Sequence, residues 1–249
     1  MKQIIVIKFG GSLTKIASAK KKFLNEVALL SKRDNIVLVH GGGPEINYWL
    51  NRLNIKSRFV HGLRFTDAPT LEIVEMVLSG KVNKSLVADL IKKGVNAVGI
   101  SGKDGRMVLC KRIKKLGFVG DPKKVNTALL KTLIKEGFLP VVSSLSLDQK
   151  GQTLNVNADS LATALAIGLR AERLVLLTDV PGVLDEKKKT IKTIRLADIK
   201  ALFDKSVISG GMIPKIKACS QAVRKGVKEV WIADGSKGLS KIDGTVIKR

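Results

Sequence analysis

The stretch that decides the fold is residues 4–12, IIVIKFGGS. Ile4, Ile5, Val6 and Ile7 form a continuous apolar run, the mark of a strand covered on both faces. Lys8 then places one cation at the strand's end, and Gly10 and Gly11 lead into a segment with helical spacing. Glycines at a strand-to-helix turn let backbone N–H groups approach an anion, and a lysine beside them supplies the countercharge. The stretch therefore reads as a phosphate site. The plainer reading is a tight turn with Lys8 solvated at its rim, since glycine-rich turns are common.

The same device recurs. Residues 36–39 form a second apolar strand, which ends in His40-Gly41-Gly42-Gly43-Pro44-Glu45. Pro44 suits a first helical turn, where its missing N–H costs nothing. Two adjacent strands that end in glycine turns, each opening a helix, make a concave edge rich in N–H donors. His40 is read as a hydrogen-bonding group beneath the turn rather than as a catalyst.

Further along, residues 56–66 predict a strand pair around His61-Gly62 that carries Arg64. Asp67 is placed to cap a helix over 70–78, which Ser79-Gly80 is expected to interrupt before a second helix over 82–92. Strands are expected over 96–100, 107–110 and 139–143, with a helix over 125–136 and a hairpin turn over 148–151. Asn155, Asn157 and Asp159 alternate, so an extended backbone would aim all three to one side, just ahead of an alanine-rich helix over 160–169. Ordinary helix capping by Asn157 or Asp159 is the simpler alternative. After a strand over 174–177 comes Thr178-Asp179-Val180-Pro181-Gly182-Val183-Leu184. A short helix is expected over 196–203. Ser209-Gly210-Gly211-Met212-Ile213-Pro214-Lys215 then opens a helix to about 225, with late strands over 230–233 and 244–246, the last an edge. Lys215 falls in that helix's first turn, where the dipole disfavours a cation unless an anion is bound. Such a local conflict is itself a sign of function.

The bulk composition narrows the options. The 249 residues, 45% of them apolar, suffice for one large α/β domain or two lobes on a shared sheet. Aromatics are 4%, too few for base-stacking platforms. The formal net charge of +24 fits anionic substrates, an acidic partner or nucleic acid, but the lysines are scattered over turns and solvated helix faces. Cys110 and Cys219 stand far apart, without zinc spacing, as in a reducing cytoplasm. The opening apolar run is too short for a secretory signal, and no window approaches the length of a membrane span.

IKFGGS, HGGGPEIN, GLRFTD, VNK (82–84), GISGKDG, NVNAD, LTDVPGVL, GGMIPK and ADG occur in that order. The pattern closely resembles the acetylglutamate kinases of the amino acid kinase superfamily, and the likeness runs from Lys8 to Thr245. The resemblance implies a three-layer αβα sandwich around a mostly parallel sheet. Residues 1–170 would form an acceptor-binding and dimerising lobe, and 171–249 an ATP-binding lobe. It implies transfer of the ATP γ-phosphoryl group to the side-chain carboxylate of N-acetyl-L-glutamate, in arginine biosynthesis. Lys8, Asp159 and Lys215 would be catalytic, with Asp159 bonding both lysines. Gly10, Gly11 and Gly42 would bind phosphoryl oxygens. Gly42, Gly43, Arg64 and Asn155 would bind the acceptor. Lys8, Thr178, Asp179, Gly182, Leu184, Gly211, Met212 and Lys215 would bind the nucleotide. No dense carboxylate cluster is visible, so Mg²⁺ is expected to be held mainly by phosphates and water, with no protein metal site.

The acceptor is already ionised at neutral pH, so the chemistry needs no general base, in keeping with a chain of two histidines. The pattern departs from the family after Asp234-Gly235, where a short Ser236-Lys237-Gly238-Leu239 replaces an arginine and a longer helical segment. The first strand is expected to begin by residue 3 or 4, with at most two or three residues ahead of it. The expectation is a homodimer, without membrane or nucleic acid partners, that lacks the interlaced N-terminal helices of arginine-inhibited hexamers. Its contact would include Leu71, Ile73, Val74, Met76 and Val77. The rival readings are a kinase for carrier-protein-bound glutamate or aminoadipate, and a kinase-like module that binds nucleic acid through its charge.

Overall fold

Strand β1 (Ile4–Phe9) lies in the middle of an eight-stranded sheet, and the rest of the chain is layered around it. The computed structural model describes residues 2–10, 17–204, 207–208, 212–239 and 242–249. The other strands are β2 (Asn35–His40), β3 (Phe59–Val60), β4 (Leu63–Arg64), β5 (Ala97–Ser101), β6 (Val108–Arg112), β7 (Val119–Val125), β8 (Leu139–Ser143), β9 (Leu145–Leu147), β10 (Thr153–Val156), β11 (Arg173–Thr178), β12 (Thr193–Arg195), β13 (Glu229–Asp234) and β14 (Gly244–Lys248). The helices are α1 (Ala17–Ser31), α2 (Gly43–Arg52), α3 (Ala68–Glu75), α4 (Asn83–Ile91), α5 (Ala128–Lys135), α6 (Ala158–Leu169), α7 (Ile199–Asp204) and α8 (Met212–Arg224).

The sheet runs β12-β14-β13-β11-β1-β2-β8-β5, with every neighbouring pair parallel except β13 and β14. Side chains of β1 alternate between its faces. Val6 packs with Leu161 and Leu165 of α6 and Ile216 and Val223 of α8. Ile5, Ile7 and Phe9 pack with Phe23 and Val27 of α1 and Leu86 and Leu90 of α4. Phe9 stacks on Phe23 at 4.2 Å between ring centroids, and both are fully buried. Burial of each such ring stabilises the fold by about 2–3 kcal/mol. The result is the three-layer α/β architecture, with helices on both faces of a mostly parallel sheet. Four short strands, β10, β7, β6 and β9, close on themselves as a small barrel beside the sheet. Strands β3 and β4 form a separate hairpin that turns at His61 and Gly62, both at positive φ.

Several expectations are corrected. Ser79-Gly80 does not interrupt the helix. Residues Met76–Val82 form a π-helix that joins α3 to α4 without a break. One glycine costs about 1 kcal/mol in a helix interior, and here the widened turn keeps Val77 and Leu78 buried. Of the five side chains assigned to a dimer contact, Leu71, Ile73, Val74 and Val77 are buried within the chain, and only Met76 is exposed, at 56%. The helix packs against α2 as well as the body, so it needs more than one apolar stripe. Strand β14 is not an edge: it lies between β13 and β12, and β12 forms the edge on that side. Strand β7 is not expected from the sequence, since Pro122 and two lysines interrupt it. Pro122 is accommodated where the β6–β7 register shifts at Leu109/Cys110. The shortened C-terminal segment is anchored: Leu239 is buried, and its N–H donates to the Glu26 carboxylate of α1.

Candidate active site

Strands β1 and β2 are parallel neighbours, with Phe9 opposite His40, so Gly10 and Gly41 leave the sheet side by side. The Gly41 turn opens beside Ala158 at the start of α6, and a cleft of about 280 Å³ forms there. It is lined by Lys8, Gly42, Gly43, Arg64, Asn155 and Asp159 among others. Six of the residues singled out by sequence therefore meet at one place. Gly10 is buried at the end of β1. Gly11 and Gly211 lie outside the described residues.

Asp159 ties the two halves of the chain together. Its Oδ1 lies 3.0 Å from Lys8 Nζ, and its Oδ2 accepts from Lys215 Nζ at 2.5 Å. Lys8 also donates to the Leu177 carbonyl of β11 at 3.4 Å. Burial works against the Asp159 charge, but the Lys8 and Lys215 ammonium groups outweigh it and hold the carboxyl below the usual range. Asp159 sits in the first turn of α6, where the dipole favours an anion, and Lys215 in the first turn of α8, where it does not. The conflict noted at Lys215 is thus answered in part by a protein carboxylate.

Asp159 does not arrive by extended alternation. Strand β10 ends at Val156, and Asn157 caps α6 by accepting from Asp159 N and Ser160 N at 3.0 and 3.1 Å. The simpler reading holds for Asn157, although it also lines the cleft. Asn155 does project from a strand, and its Nδ2 donates to Thr66 Oγ1 at 3.1 Å.

Arg64 is buried, and that burial lowers its pKa. Its Nη2 donates to Asn47 Oδ1 at 2.7 Å and lies 3.5 Å from the Gly43 carbonyl, its Nη1 donates to Ser57 Oγ, and its guanidinium lies over Phe59. A guanidinium has five N–H groups, so these contacts aim it without exhausting it. Sequence reasoning missed Asn47 and Ser57. Asn47 is the last residue of HGGGPEIN, one helical turn after Gly43, and that spacing was the available signal.

Two cleft glycines differ. A Cβ on Gly42 would lie 2.7 Å from Leu78 Cδ2, so the π-helix packs directly on this turn. A Cβ on Gly43 would meet nothing within 4 Å, in open space at the cleft wall.

The remaining nucleotide candidates stand apart from the cleft. Thr178 is buried at the end of β11, and its hydroxyl donates to Asp179 Oδ1 at 3.1 Å. Gly182 has φ +135°, and a Cβ there would lie 2.6 Å from Thr245 Oγ1, the acceptor for Val183 N. Leu184 is partly exposed and Met212 half-buried. Among the described residues, no three His, Cys, Asp or Glu side chains gather as metal ligands.

The profile of the amino acid kinase family matches residues 3–234. The acetylglutamate kinase of Endomicrobium trichonymphae is 56% identical over 249 residues, which is all of both chains. That of Clostridioides difficile strain 630 is 48% identical over 237 residues, covering 93% of this chain and 83% of its own. A solved structure from Streptococcus mutans UA159 superposes with a TM-score of 0.86 at 32% identity, covering 100% of this chain and 99% of that one.

Proposed function

The chain belongs to the amino acid kinase family, among its acetylglutamate kinases, and we propose that it transfers the γ-phosphoryl group of ATP to the side-chain carboxylate of N-acetyl-L-glutamate. The observation that carries this reading is the Lys8–Asp159–Lys215 bridge at the wall of a cleft that also holds Arg64.

The acceptor carboxylate is an anion at neutral pH and needs no base. The barrier is the approach of that anion to a triphosphate, so positioning and charge stabilisation do the catalysis. Lys8 and Lys215, drawn together by Asp159, flank the transferring group and offset its charge. N–H groups at Gly10, Gly11 and Gly42 take its oxygens. The Arg64 guanidinium forks onto an acceptor carboxylate, and Asn155 and Gly43 hold the amino-acid end. Thr178, Asp179, Gly182, Leu184, Gly211 and Met212 bind the nucleotide. Residues 1–170 then serve the acceptor, and 171–249 the nucleotide.

The carboxylate in the cleft, Asp159, is already bound to two lysines. Mg²⁺ would therefore enter with ATP and be held mainly by phosphate oxygens and water. Both cysteines are free and buried, which supports a reducing, cytoplasmic setting. No helix among the described residues is long and apolar enough to cross a membrane. A homodimer belongs to the same proposal, with exposed Met76 as the remaining apolar contact on its helix. Light scattering should give twice the 26.9 kDa chain mass.

Coupled ADP release with a panel of acceptors tests the function. Turnover with free N-acetyl-L-glutamate is expected. Turnover only with carrier-bound glutamate or aminoadipate would transfer the chemistry to the rival substrate, although the names of the two relatives favour the free one.

A further inference from the structure

His40 and Asn83 form a buried polar pair directly beneath the glycine turn, and the reaction as described uses neither. His40 is wholly buried, and Asn83 is 1% exposed. The His40 ring is engaged at both nitrogens. Its Nδ1 is 2.9 Å from the Gly41 carbonyl, and its Nε2 is 3.0 Å from Asn83 Nδ2. Asn83 Nδ2 also lies 2.9 Å from the Val141 carbonyl of β8.

These contacts determine where the protons are. A carbonyl oxygen only accepts, so the Asn83 group facing Val141 must be the NH₂. The same NH₂ faces His40 Nε2, which must therefore carry the lone pair. The ring proton then sits on Nδ1 and donates to Gly41 O. The two backbone carbonyls, one at each end, permit only this tautomer and this amide orientation. Burial moves the imidazole in the same direction, lowering its pKa to about 4 and keeping it neutral.

The peptide joining Gly41 to Gly42 is planar and trans, so its N–H points opposite to its C=O. With the Gly41 carbonyl drawn down onto His40, the Gly42 N–H is turned up toward the cleft that Gly42 lines. Among the described residues this N–H has no hydrogen-bond partner. The π-helix, whose Leu78 and Val82 pack on Gly42, runs directly into Asn83, the first residue of α4.

We propose that His40, locked in its Nδ1–H tautomer by Asn83, is a positioning residue that aims the Gly42 N–H at the transferring phosphoryl group. This rests on the phosphotransfer reading above. It also gives the VNK motif a physical role, since its Asn83 sets the tautomer two elements away from the chemistry.

Two side-chain exchanges separate aiming from filling. An asparagine at 40 can keep a donor near the Nδ1 position, whereas a glutamine keeps a group near Nε2 and loses that donor. His40→Gln should lower kcat about thirtyfold, less than the 10²–10³ for outright loss of a preorganised donor. KM for both substrates should stay within about threefold. His40→Asn should recover at least about tenfold of the loss. Equal kcat losses in the two variants, or a change confined to KM, would overturn the proposal. The unsubstituted protein supplies a second test that needs no substrate. Its histidine ¹⁵N spectrum should show His40 with Nδ1 protonated and Nε2 bare from pH 8 to pH 5. An Nε2–H tautomer, or titration near 6.5, would overturn the proposal even if the kinase assay succeeds. The expected spectrum would support it even if N-acetyl-L-glutamate proves to be the wrong acceptor.

Discussion

The end of the molecule proposed to take the acceptor and the end proposed to take the nucleotide are built differently. The first is walled by strand and helix termini whose polar side chains are already aimed by protein contacts. Arg64 is held by Asn47 and Ser57, Asn155 by Thr66, and the glycine turn rests on His40. At the end proposed for the nucleotide, Thr178 closes β11, and Asp179, Gly182 and Leu184 follow it outside that cleft; among the described residues, Lys8 and Lys215 reach Asp159. One end is preorganised by the protein. The other offers separate groups around which a ligand must complete the site. Preorganisation lowers the cost of fixing geometry in the transition state.

The bridge between the ends should be the most sensitive point. Lys8→Ala and Lys215→Ala are each expected to lower kcat by about 10²–10³-fold, the scale of one lost transition-state donor. Steady-state kinetics checks this, and near-wild-type turnover in either variant would remove that lysine from the mechanism.

Rigidity beneath the acceptor end should show in stability against pH. The His40 pKa falls from 6.5 to about 4 on folding because burial disfavours the imidazolium. The unfolded chain therefore binds the extra proton. The contribution is fully present above pH 6.5, and as pH falls from 6.5 toward 4 it is lost, by about 3 kcal/mol. Urea unfolding across that window should show this excess slope in the parent protein and not in His40→Gln.

Substrate-specific KM changes sharpen the contrast. Arg64→Ala should raise the KM for N-acetyl-L-glutamate about 10–100-fold, the range of one charged hydrogen bond, with the KM for ATP little changed. A matched rise in both would dissolve the division into two ends.

The smallest effects come from two glycines. Gly182→Ala should destabilise by about 1–3 kcal/mol, because φ is +135° and the new methyl meets Thr245. Gly43→Ala should leave the melting temperature nearly unchanged, since its Cβ meets nothing, and instead weaken the acceptor. A reversed pattern would mean that the cleft wall is structural and the nucleotide loop is not.

Much of this was legible in the sequence, for physical reasons that can be named. Apolar runs that end in glycines marked β1, β2 and the turns between sheet and helix, because fully buried parallel strands must read that way. The Asp67 cap appears as written, accepting from Thr70 N at 3.0 Å. Lys8, Asp159 and Lys215 could be picked out singly, yet their contact spans more than 200 residues of chain and exists only once the sheet is ordered. The π-helix was hidden because Ser79-Gly80 has the composition of a break, and the burial of Leu78 decides otherwise. Strand β7 was hidden by Pro122 and its lysines, and the buried face of α3 by its likeness to an interface.

The central claim is that these residues pass a phosphoryl group from ATP to a carboxylate. γ-labelled ATP, incubated with the protein and N-acetyl-L-glutamate and then quenched with hydroxylamine, tests it most directly. The account predicts one acyl hydroxamate and one labelled phosphate for every ADP formed, with Lys215→Ala forming the hydroxamate about 10²–10³-fold more slowly. ADP formed without hydroxamate, or hydroxamate formed equally well by Lys215→Ala, would contradict it.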